Sequence, residues 1–254
     1  MVAFYTPANE RSFSSLIDQA IKETGRTSSL RSIISYGNST IRECQALGLF
    51  ARDLREVEET ATANPHIYTK PRFFRSVRAI RYATCGVYPK ARLPGKVQKN
   101  QNYYFYAVDD SYVFKGPTVG EIIQMAVYYW ARPLIYYGRL GQDTASYEGG
   151  PYTTRKAYFD LDEDAWMYLS AAGDSYVTTL GDEDTEAAYR LLAENWVIAD
   201  WWDLVLEGIK AKIHKQFGDN ERASTHYSLY KQQQVDMKKT VGFEAEVGAM
   251  VNDD

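Results

Sequence analysis

Seven prolines, Pro65, Pro71, Pro89, Pro94, Pro117, Pro133 and Pro151, cut the middle of this chain into pieces too short for long helices. Each removes a backbone donor and restricts the residue before it, so regular structure there must come in short segments. The segments are β-prone. Arg75 to Tyr82, Tyr103 to Val108, Tyr112 to Lys115 and Ile122 to Ala131 are rich in Tyr, Val, Ile or Phe and bounded by Gly, Pro, Asn or Asp. Asp109-Asp110-Ser111 has the composition of a hairpin turn.

The flanks differ. Phe13, Leu16, Ile17, Ala20 and Ile21 form one helical stripe after Ser12, and Gly25 falls where a C-cap belongs. A second stripe, Leu30, Ile33, Ile34, Gly37, Ile41, Cys44 and Leu47, follows Thr27-Ser28-Ser29, which are N-cap residue types. Gly37 lowers helix propensity, so its place on the stripe predicts close approach of a neighbouring helix. Gly48-Leu49-Phe50 ends the pattern, and Asp53 to Glu59 leads outward. Late in the chain Asp182-Glu183-Asp184 suits a helix N-terminus. Trp202, Val205, Leu206, Ile209, Ile213 and Phe217 then mark a strong helix stopped by Gly218. A further helix is predicted from Asn220 to about Lys239, with a sparse stripe of Ala223, Tyr227, Tyr230 and Met237, and Thr240 to Asp254 reads as an extended tail. The expected fold class is α+β. Residues 1–66 and 180–239 hold the predicted helices, 67–179 the β-prone segments, and 240–254 the extended C-terminal tail.

Of the 254 residues 45% are hydrophobic and 24% charged, which excludes a largely disordered or collagen-like chain. The longest apolar stretch, Ile122 to Tyr137, is interrupted by Gln124, Arg132 and Pro133 and is too short to span a bilayer as one helix. The first residues lack the pattern of a signal peptide, so an intracellular start is expected. Cys44 and Cys85 could form at most one bridge and no four-cysteine zinc site. The unusual count is Tyr 21, which with 5 Trp and 10 Phe enriches the chain in residues favoured where protein surfaces meet.

Catalytic patterns are missing. His66, His214 and His226 fit no metal-binding spacing. Asp160, Asp162 and Asp164 alternate as in a calcium loop, but Ala165 replaces the turn glycine and Ala171 the bidentate glutamate, leaving a solvated acidic loop. Pro94-Gly95-Lys96 lacks the upstream glycine of a phosphate cradle, and there is no Gly-x-Ser-x-Gly or Gly-x-Gly-x-x-Gly. No catalytic, cofactor-binding or metal residue is assigned, no cofactor is expected, and the chain is not expected to be an enzyme.

Two surface features remain. Between Ala61 and Val108 there is no Asp or Glu, while Lys70, Arg72, Arg75, Arg78, Arg81, Lys90, Arg92, Lys96 and Lys99 all fall there. A nucleic-acid surface is one reading. The other, a β region neutralised by acidic stretches elsewhere, is preferred, since the net charge is -4 and arginines three apart would alternate faces in a regular strand. The cluster Tyr128, Tyr129, Trp130, Tyr136 and Tyr137 could line a glycan groove, which gives the alternative function: a glycan-binding module or polysaccharide-acting enzyme.

Taken in order, the chain gives two N-terminal helices, the exit Leu49-Phe50-Ala51-Arg52-Asp53-Leu54-Arg55-Glu56, and the basic strand Arg75-Ser76-Val77-Arg78-Ala79-Ile80-Arg81-Tyr82. There follow a strand ending Tyr128-Tyr129-Trp130-Ala131-Arg132-Pro133, then Glu194-Asn195-Trp196-Val197, Trp202 to Ile209 and Phe217-Gly218-Asp219-Asn220-Glu221-Arg222-Ala223. From about Ser12 to Lys239 this order resembles the head-to-tail adaptor (connector) proteins of tailed phages, of the tail tubular protein A type. The chain departs from the family pattern at Leu206 and Glu207 and in a longer segment from Tyr147 to Tyr189. The resemblance implies a helical bundle made from the helices of 1–66 and 180–239, with a β-rich lobe of 67–179 inserted in the middle, in a virion protein at the head-to-tail junction that is made in the host cytoplasm. It would assemble as a ring, commonly of twelve copies, between the portal protein and a tail nozzle or other tail proteins. Genomic DNA would pass through the lumen without specific binding, and no membrane is involved. It also implies that the C-terminal arm docks on the portal, which makes Tyr227, Tyr230, Met237, Phe243 and Met250 the candidate portal-interface residues.

Overall fold

A computed structural model describes residues 11–26, 30–92, 102–139, 156–160, 165–169, 176–177 and 194–250. Helices and sheets are both present, so the chain is of mixed α+β class. Residues up to Gly48 and from Ala131 onward cluster as one compact unit, and Leu49–Trp130 form a second.

In the first unit, α1 (Phe13–Thr24) has the caps its sequence predicts. Ser12 Oγ accepts a hydrogen bond from the Ser15 amide at 3.2 Å, and Gly25, at φ 65°, donates its amide to the Ile21 carbonyl at 2.9 Å. Helix α2 (Leu30–Gln45) ends two residues before Leu47, and the predicted caps Thr27 to Ser29 lie outside the described residues. The expectation for Gly37 holds: a Cβ there would stand 2.5 Å from a Phe13 ring carbon of α1 and 3.1 Å from Ile17 Cδ1. Among the described residues three later helices belong to the unit: α3 (Trp196–Asp200), α4 (Trp202–Gln216) and α5 (Asn220–Met250). Helix α4 packs against α1, α2 and α5, and Ile33, Ile34 and Ile41 of α2 are buried together with Val205, Ile209 and Ile213 of α4. Polar side chains fasten the connecting segment. The Asn38 amide group both donates to the Leu134 carbonyl (3.0 Å) and accepts from its amide (2.6 Å), Gln45 accepts from the Ala131 amide, and the buried Tyr136 hydroxyl donates to Asp18. The same unit contains an antiparallel sheet in the order β11-β10-β9-β8, made by β8 (Tyr136–Arg139), β9 (Lys156–Asp160), β10 (Ala165–Leu169) and β11 (Tyr176–Val177). Asp160 of β9 pairs with Ala165 of β10, and Asp162 and Asp164 lie outside the described residues.

The second unit consists of two sheets packed face to face. One has the order β1-β7-β3, from β1 (Leu54–Thr60), β3 (Phe74–Tyr82) and β7 (Ile122–Tyr129). The other has the order β2-β6-β5-β4, from β2 (His66–Thr69), β4 (Lys90–Ala91), β5 (Tyr104–Val108) and β6 (Ser111–Lys115). Between them lies a core of Tyr68, Ile80, Tyr82, Phe114, Ile123, Met125 and Val127, edged by Phe74, Phe105, Tyr112 and Tyr129. The predicted hairpin closes with Val108 paired to Ser111 across Asp109-Asp110, and Asp109 takes φ 44°.

Several expectations need correction. Strand β1 lies in the stretch assigned to the helical bundle, and β8 to β11 cluster with the helices rather than with the strands of 54–129. Helix α5 runs to Met250, so the tail expected to be extended from Thr240 is helical over most of its length. No proline interrupts it there, and Glu244, Ala245, Glu246 and Ala249 favour helix. The helix start at Asp182 falls outside the described residues.

The largest correction concerns the arginines. Strand β3 carries two bulges against β7, at Arg75 between Phe74 and Ser76 and at Arg78 between Val77 and Ala79. A bulge sets two residues opposite one and resets the alternation. Phe74, Val77, Ile80 and Tyr82 therefore all reach the core, while Arg78 and Arg81 are both exposed on the opposite side. In a regular strand the three-residue spacing would scatter them; with the bulges it aligns them.

Candidate functional site

The residues singled out for docking lie on α5, and burial divides them. Tyr230 and Met237 are 1% and 0% exposed, so they belong to the protein's own core and not to a free docking face. Tyr227 is 52% exposed. Phe243 and Met250 are on α5, but their side chains lie outside the described residues. The stripe is fuller than it reads: Ala223, Tyr230, Gln234, Met237 and Val241 are all buried, a four-three spacing that seats one face of α5 against its neighbours. Gln234 made the stripe look sparse. It is 5% exposed and accepts a hydrogen bond from Lys231 Nζ at 2.9 Å.

Tyr230 fills the junction of three helices. Its hydroxyl donates to Glu43 Oε2 at 2.9 Å and lies 4.0 Å from Cys44 Sγ. Its ring passes Gly208, where an added Cβ would sit 3.0 Å from it and 2.5 Å from Thr40 Cγ2. Burial and the neighbouring Glu43 and Cys44 raise the Tyr230 hydroxyl pKa, and burial pushes the Cys44 thiol up to about 12. Neither group is a ready nucleophile or proton donor.

A groove of about 680 Å³ opens beside this junction. Tyr227, Tyr230, Lys212, Lys215 and Lys231 line it, with Glu43 at its edge. Lys231 Nζ stands 5.3 Å from the Tyr227 ring centre and 5.6 Å from that of Tyr230. Lys212 Nζ is held by Ser39, Thr40 and Glu43 at 2.7 to 2.9 Å.

At the α4–α5 turn, His214 and His226 stack with ring centres 5.3 Å apart. His226 Nδ1 pairs with Glu207 Oε2 at 2.6 Å. Glu207 also pairs with Lys210, which reaches Glu23 at 2.9 Å. Burial opposes the Lys210 charge, but the two carboxylates outweigh it and raise its pKa. His214 is 3% exposed and its Nδ1 lies 3.4 Å from Asp219, outside hydrogen-bond geometry. Burial and then the neighbouring His226 lower its pKa. The cluster ties α1, α4 and α5 together and presents no open acid–base pair.

Among the described residues no group of three or more His, Cys, Asp or Glu side chains converges as a metal site. Of the tyrosine cluster, Tyr128 to Trp130 belong to the β unit and Tyr136 and Tyr137 to the helical unit. Tyr128 and Tyr136 are buried, Tyr129 packs edge-on against Phe74, Trp130 lies under Arg75 at 4.1 Å, and the Tyr137 side chain lies outside the described residues. No described helix is long and apolar enough to cross a membrane. No family model matches the sequence, and no curated protein matches it.

Proposed function

We propose that this chain is a structural head-to-tail adaptor of a tailed phage, a ring-forming virion protein placed between portal and tail. The observation that carries the reading is the division of the chain: its two ends supply helices to one compact unit, while residues 49–130 fold as a β unit of their own. This supports, in part, the arrangement implied by the resemblance, a terminal-helix bundle with a β lobe inserted, although β8 to β11 cluster with the helices. The long α5, extending to Met250, supplies a rod for the docking arm. With Tyr230 and Met237 committed to the core, the arm's portal contacts are reassigned to Tyr227 and to the helix beyond Val241. DNA would slide through the ring, since a chain of net charge -4 has little general attraction for phosphate.

The test is attachment. Purified protein should bind portal-bearing capsids, and deletion of Gly242 to Asp254, beyond the buried Val241, should leave the remaining chain folded while abolishing that binding. Wild-type attachment by the truncated chain would remove the arm from the proposal, and absence of binding by the full chain would remove the adaptor.

A further inference from the structure

The two edges of the β1-β7-β3 sheet carry opposite charge on the same outer face. Register fixes the rows. Glu58 of β1 stands opposite Gln124 of β7, which stands opposite Arg81 of β3. In the next row Glu56 stands opposite Ala126, which faces Ala79 beside the bulged Arg78. The first row thus runs from acid through a neutral residue to arginine, and the second runs from acid to Ala79 with Arg78 beside it in the bulge. Glu56, Glu58, Arg78 and Arg81 are all exposed. The acid and base within one row are two strand spacings apart, about 10 Å between their backbones, and among the described residues no ion pair joins Glu56 or Glu58 to Arg78 or Arg81. Arg75 differs, being half-buried over the Trp130 ring, so Arg78 and Arg81 are the reaching pair.

We infer that this face joins copies of the chain side by side, with Arg78 and Arg81 of one protomer meeting Glu56 and Glu58 of its partner. Complementary charge names the occupant. A duplex would meet the two glutamates as well as the two arginines, whereas a second copy presents each arginine with a carboxylate. Set edge to edge, side by side, the contact is heterologous: like edges repel and unlike edges attract, so it repeats in one direction and closes as a ring or continues as a filament. The bulges break the regular backbone ladder at this edge, so side chains and not strand addition make the joint. The inference rests on the adaptor reading only for closure into a ring; the contact itself needs no portal.

Sedimentation velocity on the full chain tests it. The wild type should self-associate at about 0.1 M ionic strength, where the screening length is about 10 Å, and dissociate at about 1 M, where it is about 3 Å. Arg78→Glu/Arg81→Glu and Glu56→Lys/Glu58→Lys should each weaken association by about tenfold or more, because like charges then meet. Mixing the two variants should restore it, since each then supplies the edge the other lacks. That recovery also shows both variants to be folded. A wild type that stays monomeric at high concentration and low salt overturns the inference, as does association unaffected by either reversal, or a mixture that stays apart. Binding of a short DNA duplex that is lost in the arginine variant and strengthened in the glutamate variant, with no self-association, would give the face to nucleic acid instead. Capsid attachment by a chain that fails here would leave the adaptor standing and remove only this joint.

Discussion

The helical unit and the β unit solve the packing problem with different materials. In the helical unit, isoleucine, leucine and valine from both ends of the chain meet at glycine notches, Gly37 against Phe13 and Gly208 against Thr40 and Tyr230. In the β unit, rings meet rings: Tyr82 with Phe114 and Tyr103, Phe105 with Tyr112 and Phe114, Phe74 with Tyr112 and Tyr129. The first depends on close approach of backbones that nothing larger than hydrogen can allow. The second depends on broad surfaces stacked across two sheets, which leaves room for irregular strands. That is why β3 can carry two bulges and still deliver four side chains to its core.

The largest test of this contrast is Ile209→Ala. The side chain is 0% exposed on the helix that the other helices surround, so its truncation should cost about 2 to 5 kcal/mol in urea unfolding. A smaller loss than a comparable truncation in the β unit would reverse the comparison. Next comes Gly208→Ala. Helix propensity alone would make it favourable by about 1 kcal/mol. The added methyl would lie 2.5 Å from the Thr40 methyl, so we expect a net loss, about 1 to 3 kcal/mol by the usual cost of overpacking. A raised melting temperature would show that the notch is not a notch. In the β unit, Tyr82→Phe keeps the stacked ring and loses only its hydroxyl bond to the Lys115 carbonyl at 3.1 Å, so about 1 kcal/mol is expected. A much larger loss would mean that the polar tip, and not the ring, holds this core.

The smallest expected effect is of pH and confined to the helical unit. The His214 pKa is lowered on folding, so the unfolded chain binds the proton more readily. Stability should therefore fall as pH drops below about 6.5, the unperturbed imidazole value. His214→Gln should flatten that slope, and an unchanged slope would place the titration elsewhere. Glu23, whose pKa is lowered by Gln19 and Lys210 against the opposing effect of burial, adds a further loss at more acidic pH as its carboxylate is protonated.

What could be read in the sequence was whatever local chemistry decides. Ser12 and Gly25 mark α1, Gly218 ends α4, and Asp109-Asp110 turns the β5–β6 hairpin because caps and turns are settled within a few residues. Strand β1 was hidden by its charges: in Leu-Arg-Glu-Val-Glu-Glu-Thr only Val57 offers an apolar inward side chain along the central run. The bulges were invisible because they are a property of the β3–β7 pair, not of β3. For the candidate site, the sequence puts Tyr227, Tyr230 and Met237 forward together as docking residues, and of the three only Tyr227 is exposed. The four-three spacing that would have placed the other two runs through Gln234, a polar residue that passes as surface until its neighbours are known.

The two cysteines divide between the same two regions. Cys44 is buried beside Tyr230 with its thiol pushed up to about 12, and Cys85 is exposed in the β unit; both are free. Since the thiolate is the reactive form, an alkylating reagent should modify Cys85 in the native protein and pass over Cys44. The molecule thus carries its own chemical clock: the first label marks the β unit, and the arrival of the second records the moment the helices part.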